Sequence, residues 1–270
     1  RDTKGMQTSG KKLPGAYGAN EPKQNAANLR TKGWELMLTW NDAFKLANKP
    51  FRYNLSVGLA DNTSEITKFD NPSKILSDYY VGQKLGDIWG YVVDGLFRTD
   101  EEAANYNVDQ TAVNFVINTA QVNPGLHAGD MKFVDLDGDH TISSGSNTAD
   151  DPGDRKIIGN SLPRYTYSIQ GGFDWYGFDF SIYLQGVGHQ DWYPGTNSVF
   201  FWGPYARPYS SFIPRDFLSQ VWSPENPDAY FPRPIGYLAL GNNRSLGVVN
   251  DRYLQNLAYC RVKNITAVSY

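Results

Sequence analysis

Alternation of apolar and polar residues is the clearest pattern in this sequence. A repeat of two places successive side chains on opposite faces of a β-strand. Two pairs of such segments follow one another with short connections, which predicts antiparallel hairpins at 31–60 and 164–186. The connection in the second hairpin is the tight turn Trp175-Tyr176-Gly177. Every second residue is apolar in the segments 34–40, 51–59, 165–173 and 178–186.

The rest of the chain shows weaker patterns. A last strand is predicted at 258–270, with a bulge because Lys263 and Asn264 break its alternation. The first 28 residues are polar and without period, and we interpret them as a loop. Between the strands lie two very long connections, at 61–163 and 187–257. In the first, the capping box Thr99-Asp100-Glu101-Glu102 predicts a short helix from about Asp100 to Tyr106.

Composition narrows the fold class to all-β. The 270 residues include 14 Phe, 18 Tyr and 7 Trp, with 26 Gly and 15 Pro, which favours strands and turns over long helices. The formal net charge of -3 points to no nucleic-acid partner. The single cysteine, Cys260, excludes an internal disulfide and a multi-thiolate metal site. The sequence begins at Arg1 without a basic leader, so we expect any targeting peptide to lie outside it.

The lengths of the connections distinguish two kinds of all-β protein. Soluble domains rarely carry two such long, weakly patterned connections. Outer-membrane barrels combine short turns on one side with long loops on the other, and their strands need only about 9–11 alternating residues to cross the bilayer. The alternative is a soluble β-sandwich, in which the apolar rows meet a second sheet. The barrel interpretation predicts that nine side chains face lipid: Trp34, Leu36, Leu38, Phe51, Tyr53, Leu55, Phe178, Phe180 and Ile182.

An acidic turn in the first long connection predicts a cation site. Asp135, Asp137 and Asp139 occupy positions 1, 3 and 5 of a calcium-type loop, and Thr141 offers its backbone carbonyl at position 7. Position 12 is a serine, so the later Asp154 is the candidate closing ligand if the segment 143–152 loops out. His140 stands where such loops have glycine. Ca²⁺ is favoured over Mg²⁺ because the turn supplies many oxygens in a flexible geometry. The alternative is an acidic surface turn that binds nothing.

Signs of catalysis are weak, and we predict that the protein is not an enzyme. The three histidines fall in no triad or metal motif. The second long connection is rich in aromatic residues, whose faces stack on sugars or peptide side chains when they are exposed. Trp192, Trp202 and Tyr205 are the candidates for contact with a ligand. The alternative is that these rings pack the second long connection onto the first.

Several motifs follow one another along the chain: NLRTKGWEL (28–36), GDIWGYVVDGLF (86–97), AGD and KFVDLDGD (128–139), IIGNSLPRY (157–165), the Pro-rich segment 222–234 and RVKNIT (261–266). In this order they resemble SusC/RagA-type TonB-linked (TonB-dependent) outer-membrane transporters, specifically a C-terminal part of the barrel. The acidic run KFVDLDGD looks like the acidic loop of that family.

This resemblance implies a fold and a function. It implies a segment of a 22-stranded antiparallel transmembrane β-barrel with long extracellular loops at 61–163 and 187–257, and with the plug domain outside this chain. It also implies a bacterial outer-membrane importer of oligosaccharides or peptides, which works with TonB and with a SusD-like surface lipoprotein. The alternative function is a soluble calcium-stabilised carbohydrate-binding β-sandwich module. In the importer, a calcium ion at the acidic turn is expected to pin the loop between Asp130 and Asn160.

Overall fold

A computed structural model describes residues 1–9, 23–113, 125–206, 213–235, 237–241 and 244–270. Within these ranges the chain is mainly β-structure, with three short α-helices. No helix in the described ranges is both long and apolar enough to cross a membrane. The strands are β1 (Asp2–Ser9), β2 (Lys23–Leu46), β3 (Lys49–Lys68), β4 (Asp87–Tyr91), β5 (Val93–Leu96), β6 (Met131–Phe133), β7 (Arg155–Asn160), β8 (Arg164–Trp175), β9 (Phe178–His189), β10 (Asp191–Trp192), β11 (Gln255–Asn256) and β12 (Tyr259–Ser269), and the helices are α1 (Asp100–Ala104), α2 (Val199–Trp202) and α3 (Phe217–Gln220).

Six long strands form one antiparallel sheet in the order β1-β2-β3-β8-β9-β12. Both of its tight hairpins turn over two residues with positive φ, Ala47-Asn48 (52° and 61°) and Tyr176-Gly177 (52° and 77°). Two positive φ values give the turn a twist that matches the right-handed twist of the flanking strands. The pairing of Phe51 with Trp175 places both turns at the same end of the sheet. The all-β, antiparallel character predicted from the sequence is confirmed.

The sheet has one apolar face and one polar face. The register pairs Leu36 with Leu59 and Leu38 with Val57, so the apolar rows of β2 and β3 lie on one side. The pairing of β3 with β8, β8 with β9 and β9 with β12 continues this face. The nine residues predicted to face lipid all lie on it. Two clefts of about 590 and 520 Å³ are lined by residues of the opposite, polar rows and their neighbours.

Aromatic rings gather on the apolar face beside the two hairpin turns. The ring centroids of Phe44 and Phe51 are 5.0 Å apart, those of Phe51 and Phe173 are 5.4 Å apart, and those of Phe173 and Phe180 are 5.5 Å apart. Lys49 places its ammonium group 4.9 Å from the centre of the Tyr176 ring at the same level. These contacts make a continuous aromatic band across four strands.

The two long connections fold together at the other end of the sheet. Their short strands pair as β4 with β7, β5 with β6 and β10 with β11. The first connection supplies Phe133 and Ile142 to a shared core, and the second supplies Trp202 and Tyr253, all of which are fully buried. We call this unit the loop body. Its members in the described ranges also include Tyr91, Leu96, Val113, Met131, Tyr205, Val221, Phe231, Ala239, Leu240 and Leu246.

Two buried carboxylates lie where the sheet meets the loop body: Asp61 joins two strands of the sheet, and Asp191 joins the sheet to the loop body. Asp61 of β3 accepts two hydrogen bonds of 2.6 Å from the guanidinium of Arg164, the first residue of β8. Asp191 accepts from the backbone of Asn160 at 2.9 Å and lies 2.8 Å from the His189 ring. Because each carboxylate is nearly inaccessible to water and hydrogen-bonded, these contacts fix the point at which the chain leaves the sheet.

The predicted short helix, bulge and tight turn are all present in the structure. The helix predicted after Thr99 is confirmed, because α1 begins there and the Thr99 hydroxyl accepts from the backbone of Glu102. The bulge predicted near Lys263 is confirmed by a register shift between Val262 and Asn264. The tight turn at Tyr176-Gly177 is also confirmed.

The prediction of a loop over the first 28 residues is wrong for residues 2–9 and 23–28, which form strands, and its residues 10–22 lie outside the described residues. Asp2–Ser9 forms β1 and pairs with the start of β2, and the first hairpin extends well beyond 31–60 at both ends. Backbone hydrogen bonds hold this part of the sheet, and they require no apolar side chains. The alternation of apolar and polar residues therefore could not indicate that these segments form strands.

Candidate cation site and the surfaces around it

Three of the predicted ligands converge in the loop body. Carboxylate oxygens of Asp135, Asp137 and Asp154 all lie within 4.8 Å of one another. Within the described residues, none of the three forms a salt bridge with a basic side chain. Three uncompensated carboxylates at this separation repel one another, so a bound divalent cation would relieve the repulsion. Hard carboxylate oxygens are the donor set that Ca²⁺ prefers.

Backbone N–H groups hold the leading carboxylate in place. Asp135 accepts from Gly138 at 2.7 Å and from His140 at 2.9 Å. Burial acts to raise the pKa of Asp135, but these two hydrogen bonds outweigh it and the pKa is lowered. The turn requires positive φ at Gly138 (84°) and at His140 (63°). His140 thus adopts the left-handed conformation that calcium loops usually assign to glycine, at a modest cost.

Asp137 has a different electrostatic environment. A hydrogen bond from the backbone of Asp139 acts to lower the pKa of Asp137. Burial and the carboxylates of Asp154, Asp139 and Asp135 outweigh that effect, and the pKa is raised. A raised pKa in an exposed carboxylate indicates that negative charge is crowded at this point.

Asp154 completes the cluster because the segment 143–152 loops out and then returns to the acidic turn. The backbone N–H of Asp154 donates to the carbonyl of Ser143 at 3.1 Å, which brings the two ends of the excursion together. The carboxylate accepts from the backbone of Leu136 and of Ser143, each at 2.7 Å, and it is fully buried. The neighbouring Ile142 is also fully buried in the core of the loop body. The turn is therefore anchored on its inner side.

The other two predicted ligands, Asp139 and Thr141, make contacts of their own. The carboxylate of Asp139 lies outside the cluster and accepts a 2.7 Å hydrogen bond from the backbone of Thr141. Thr141 forms an isolated β-bridge with Asp109. That bridge includes hydrogen bonds from Asp109 to the His140 carbonyl and from Ile142 to the Asp109 carbonyl. The bridge fixes the far side of the acidic turn.

The aromatic residues proposed as ligand contacts have mixed positions. Trp192 in β10 is exposed over 41% of its surface. Trp202 and Tyr205 are 0% and 2% exposed. Both pack against Phe231 in the core, Trp202 edge-on and Tyr205 in a stacked arrangement. Burial also raises the pKa of Tyr205. The expectation that these two contact a ligand is therefore corrected, and the alternative interpretation, loop packing on loop, applies to them.

Sequence reasoning missed one contact that joins the two connections. Asp130, in the first connection, accepts from Nε of Arg233 at 2.7 Å and from its second nitrogen at 3.2 Å. Asp130 is nearly inaccessible to solvent. Both residues lie inside quoted motifs, but their separation of 103 positions leaves no local signal of pairing.

Comparisons with known proteins agree with this architecture. No family model matches the chain. TonB-dependent receptor P39 of Formosa agariphila is 27% identical over 193 residues, which are 63% of this chain and 18% of that protein. TonB-dependent receptor P3 of the same organism is 23% identical over 268 residues, which are 94% of this chain and 23% of that protein.

A solved structure gives the corresponding comparison of folds. The structure of the RagAB peptide transporter matches with a TM-score of 0.59 at 14% identity, over 98% of this chain and 25% of that chain. The chain therefore spans about a fifth of the length of the curated relatives and a quarter of the solved chain. These matches confirm the resemblance that the motifs indicated: the chain is a relative of TonB-dependent receptors in sequence and corresponds to part of the RagAB transporter in fold.

Proposed function

We propose that this chain is the barrel portion of a TonB-dependent outer-membrane importer of oligosaccharides or peptides. In this proposal the six-stranded sheet is an arc of a 22-stranded transmembrane barrel, and the loop body is extracellular. The edges of the arc, β1 and β12, pair with neighbouring strands of the same barrel, because open edges in lipid leave backbone groups unsatisfied. A SusD-like lipoprotein would dock on the loop body, and TonB would act through another part of the protein.

The observation that carries the proposal is the apolar face of the sheet. Its rows remain open over five strands, and within the described residues no second sheet covers them. Trp34 and Phe44 mark the two ends of the row on β2, in which Asp42, beside the hairpin turn, is the one polar residue. Ten residues at about 3.3 Å each, tilted by about 40°, give a height of roughly 25 Å, the height of the apolar band of outer-membrane barrels.

The opposite face suits the interior of such a barrel. It carries residues such as Asn54, Ser168 and Gln170, and the two clefts lie over this polar surface. A soluble sandwich would instead require the apolar rows to be buried against a partner layer. The aromatic band beside the hairpin turns corresponds to one interfacial girdle, and Trp34 stands at the level of the other.

Membrane placement can be tested by fluorescence quenching. The protein would be reconstituted in vesicles of phosphatidylcholine brominated at known acyl positions, in versions that retain only Trp40 or only Trp202. We expect strong quenching of Trp40 and none of Trp202, which is enclosed in the loop body. Equal, weak quenching of both, with full solubility in plain buffer, would instead support the soluble calcium-stabilised carbohydrate-binding module.

We also propose that the acidic cluster binds Ca²⁺ and holds the segment between Asp130 and Asn160 in one conformation. The support is the convergence of Asp135, Asp137 and Asp154, which form no salt bridge with any basic side chain in the part of the chain that the structure describes. A fixed loop surface docks a ligand or a lid protein with less loss of conformational entropy.

Calorimetry tests the calcium proposal with a matched pair of variants. Asp137→Ala removes a carboxylate from the cluster, and we expect a loss of calcium affinity of at least tenfold, with faster hydrogen exchange in the acidic turn. Asp139→Ala removes a carboxylate that lies outside the cluster, so its effect should be clearly smaller. Unchanged calcium binding in Asp137→Ala would contradict the assignment.

A further inference from the structure

On the apolar face of β2, the residues beyond Trp34, in the direction of the loop body, are charged instead of apolar. Alternate residues of a strand share a face, so the row that carries the apolar side chains continues with Lys32 and Arg30. Their directly opposed residues on β3 are Thr63 and Glu65. Two rows of polar and charged groups therefore follow the last apolar row on the same side of the sheet.

The row that contains Arg30 and Glu65, farther from the apolar residues, is balanced in charge. Nε of Arg30 lies 2.9 Å from the carboxylate of Asp2 on β1. Glu65 stands opposite Arg30 on one side and opposite Lys84 on the other. Acidic and basic side chains thus alternate across this row, and it carries little net attraction for an anion.

The row that contains Lys32 and Thr63, next to the apolar residues, is not balanced in charge. Lys32 is exposed, its cross-strand partner is the neutral Thr63, and within the described residues it forms no ion pair. The two acids diagonal to Lys32 on this face already face other bases: Asp61 binds the guanidinium of Arg164, and Glu65 stands between Arg30 and Lys84. Lys32 therefore presents the remaining positive charge at the edge of the apolar face.

We propose that Lys32, with the Thr63 hydroxyl and the Trp34 ring, is a docking site for the phosphate of an outer-leaflet lipid headgroup. The inference rests on the proposed membrane placement. Lys32 lies two residues beyond Trp34, which is about 5 Å further along the membrane normal. The headgroup region occupies about 5–7 Å on each side of the hydrocarbon core, so the ammonium group lies at the depth of lipid phosphates.

The position favours a lipid over free phosphate. A single lysine and a hydroxyl on an open sheet surface offer few donors, and a small anion would remain mostly hydrated there. A phospholipid adds a second attachment, because its acyl chains lie along the apolar row of Leu36 and Leu38 directly below. Trp34 has the amphipathic ring typical of the boundary between the headgroups and the hydrocarbon core of a membrane.

The test compares lipid binding by matched variants of the protein, purified from outer membranes in detergent and then incubated with each lipid in turn. Native mass spectrometry would count bound molecules of diphosphorylated lipid A, of lipid A without phosphates, and of phosphatidylcholine. Lys32→Gln is the test variant and Lys32→Arg the conservative one. Lys45→Gln, on the same strand beside the hairpin turn, carries the same change of charge away from the proposed site.

We expect Lys32→Gln to weaken retention of lipid A about fivefold, the effect of one basic residue near an anionic surface, while Lys32→Arg and Lys45→Gln bind as the parent does. Equal retention by all variants would overturn the headgroup site, as would equal retention of lipid A with and without phosphates. Displacement of lipid A by millimolar inorganic phosphate would exclude the lipid as the specific ligand. Failure to retain any of the three lipids would instead refute the membrane placement itself.

Discussion

The apolar face leads to a prediction in which two neighbouring residues respond in opposite ways to the same change. Leu38 and Met37 are both well exposed, at 61% and 71%, and both are apolar. Exposure alone therefore predicts that arginine is tolerated at either position. The register places Leu38 opposite Val57 on the apolar face, and Met37 opposite Gly58 on the polar face. We expect Leu38→Arg to destabilise the folded protein strongly and Met37→Arg to have little effect.

The magnitude follows from the depth of Leu38 in the apolar band. The residue lies four positions from Trp34 and six from Phe44, which places it about 10 Å and 15 Å from the two ends of the band. Near the midplane, arginine on the lipid face of a barrel costs about 2–4 kcal/mol, and the cost falls to about 0–1 kcal/mol near the interfaces. Arginine at position 37 meets the polar interior instead, so its expected cost is below about 1 kcal/mol.

Urea titration of the protein folded into phosphatidylcholine vesicles, followed by tryptophan fluorescence, measures both variants under the same conditions. The two free energies of unfolding should differ by at least about 2 kcal/mol, with Leu38→Arg the less stable. Equal stabilities, or a less stable Met37→Arg, would show that the apolar rows do not contact hydrocarbon. The importer assignment would then lose its main physical support.

Three further substitutions test the loop body by hydrogen exchange and by urea titration. Ile142→Ala removes a fully buried side chain and should destabilise the loop body by about 2–5 kcal/mol, and a loss below about 1 kcal/mol would contradict its anchoring role. Arg233→Ala leaves the carboxylate of Asp130 buried without its partner, so we expect a cost of about 2–4 kcal/mol and faster exchange in both connections; an effect in only one would show that the pair does not couple them. Gly129→Ala adds a methyl group that would lie 2.6 Å from ring atoms of Trp222 at a φ of 85°, so it should cost at least about 1–2 kcal/mol, and a neutral result would disprove the tight packing.

The strands inside the apolar band were predictable because their alternation reports directly on a two-faced environment. The period of two over 34–40 and 51–59 identified the hairpin, and the break at Lys263 identified the bulge. The same logic failed for Asp2–Ser9, which stands outside the band. Its side chains are mainly polar on both faces, so the backbone pairing with β2 leaves no trace in hydropathy.

The acidic turn was predictable only in its leading residues. Asp135 and Asp137 follow the spacing of a calcium loop, whereas the position of Asp154 depends on how the segment 143–152 closes. The environment of Trp202 could not be predicted, because Phe231 and Tyr253, which pack against its ring, are distant from it in sequence. Local sequence indicates an aromatic surface, and only the tertiary structure shows what covers it.

The common core of the two long connections constrains how this protein can diversify. A swap of one connection for that of a relative would leave half of the interior mismatched, with cavities where Phe133 or Trp202 had packed. The connections should therefore be inherited and grafted as a single cassette, together with the Asp130–Arg233 pair. Engineers who seek a new cargo preference should exchange both at once, or restrict changes to outward side chains such as Phe200.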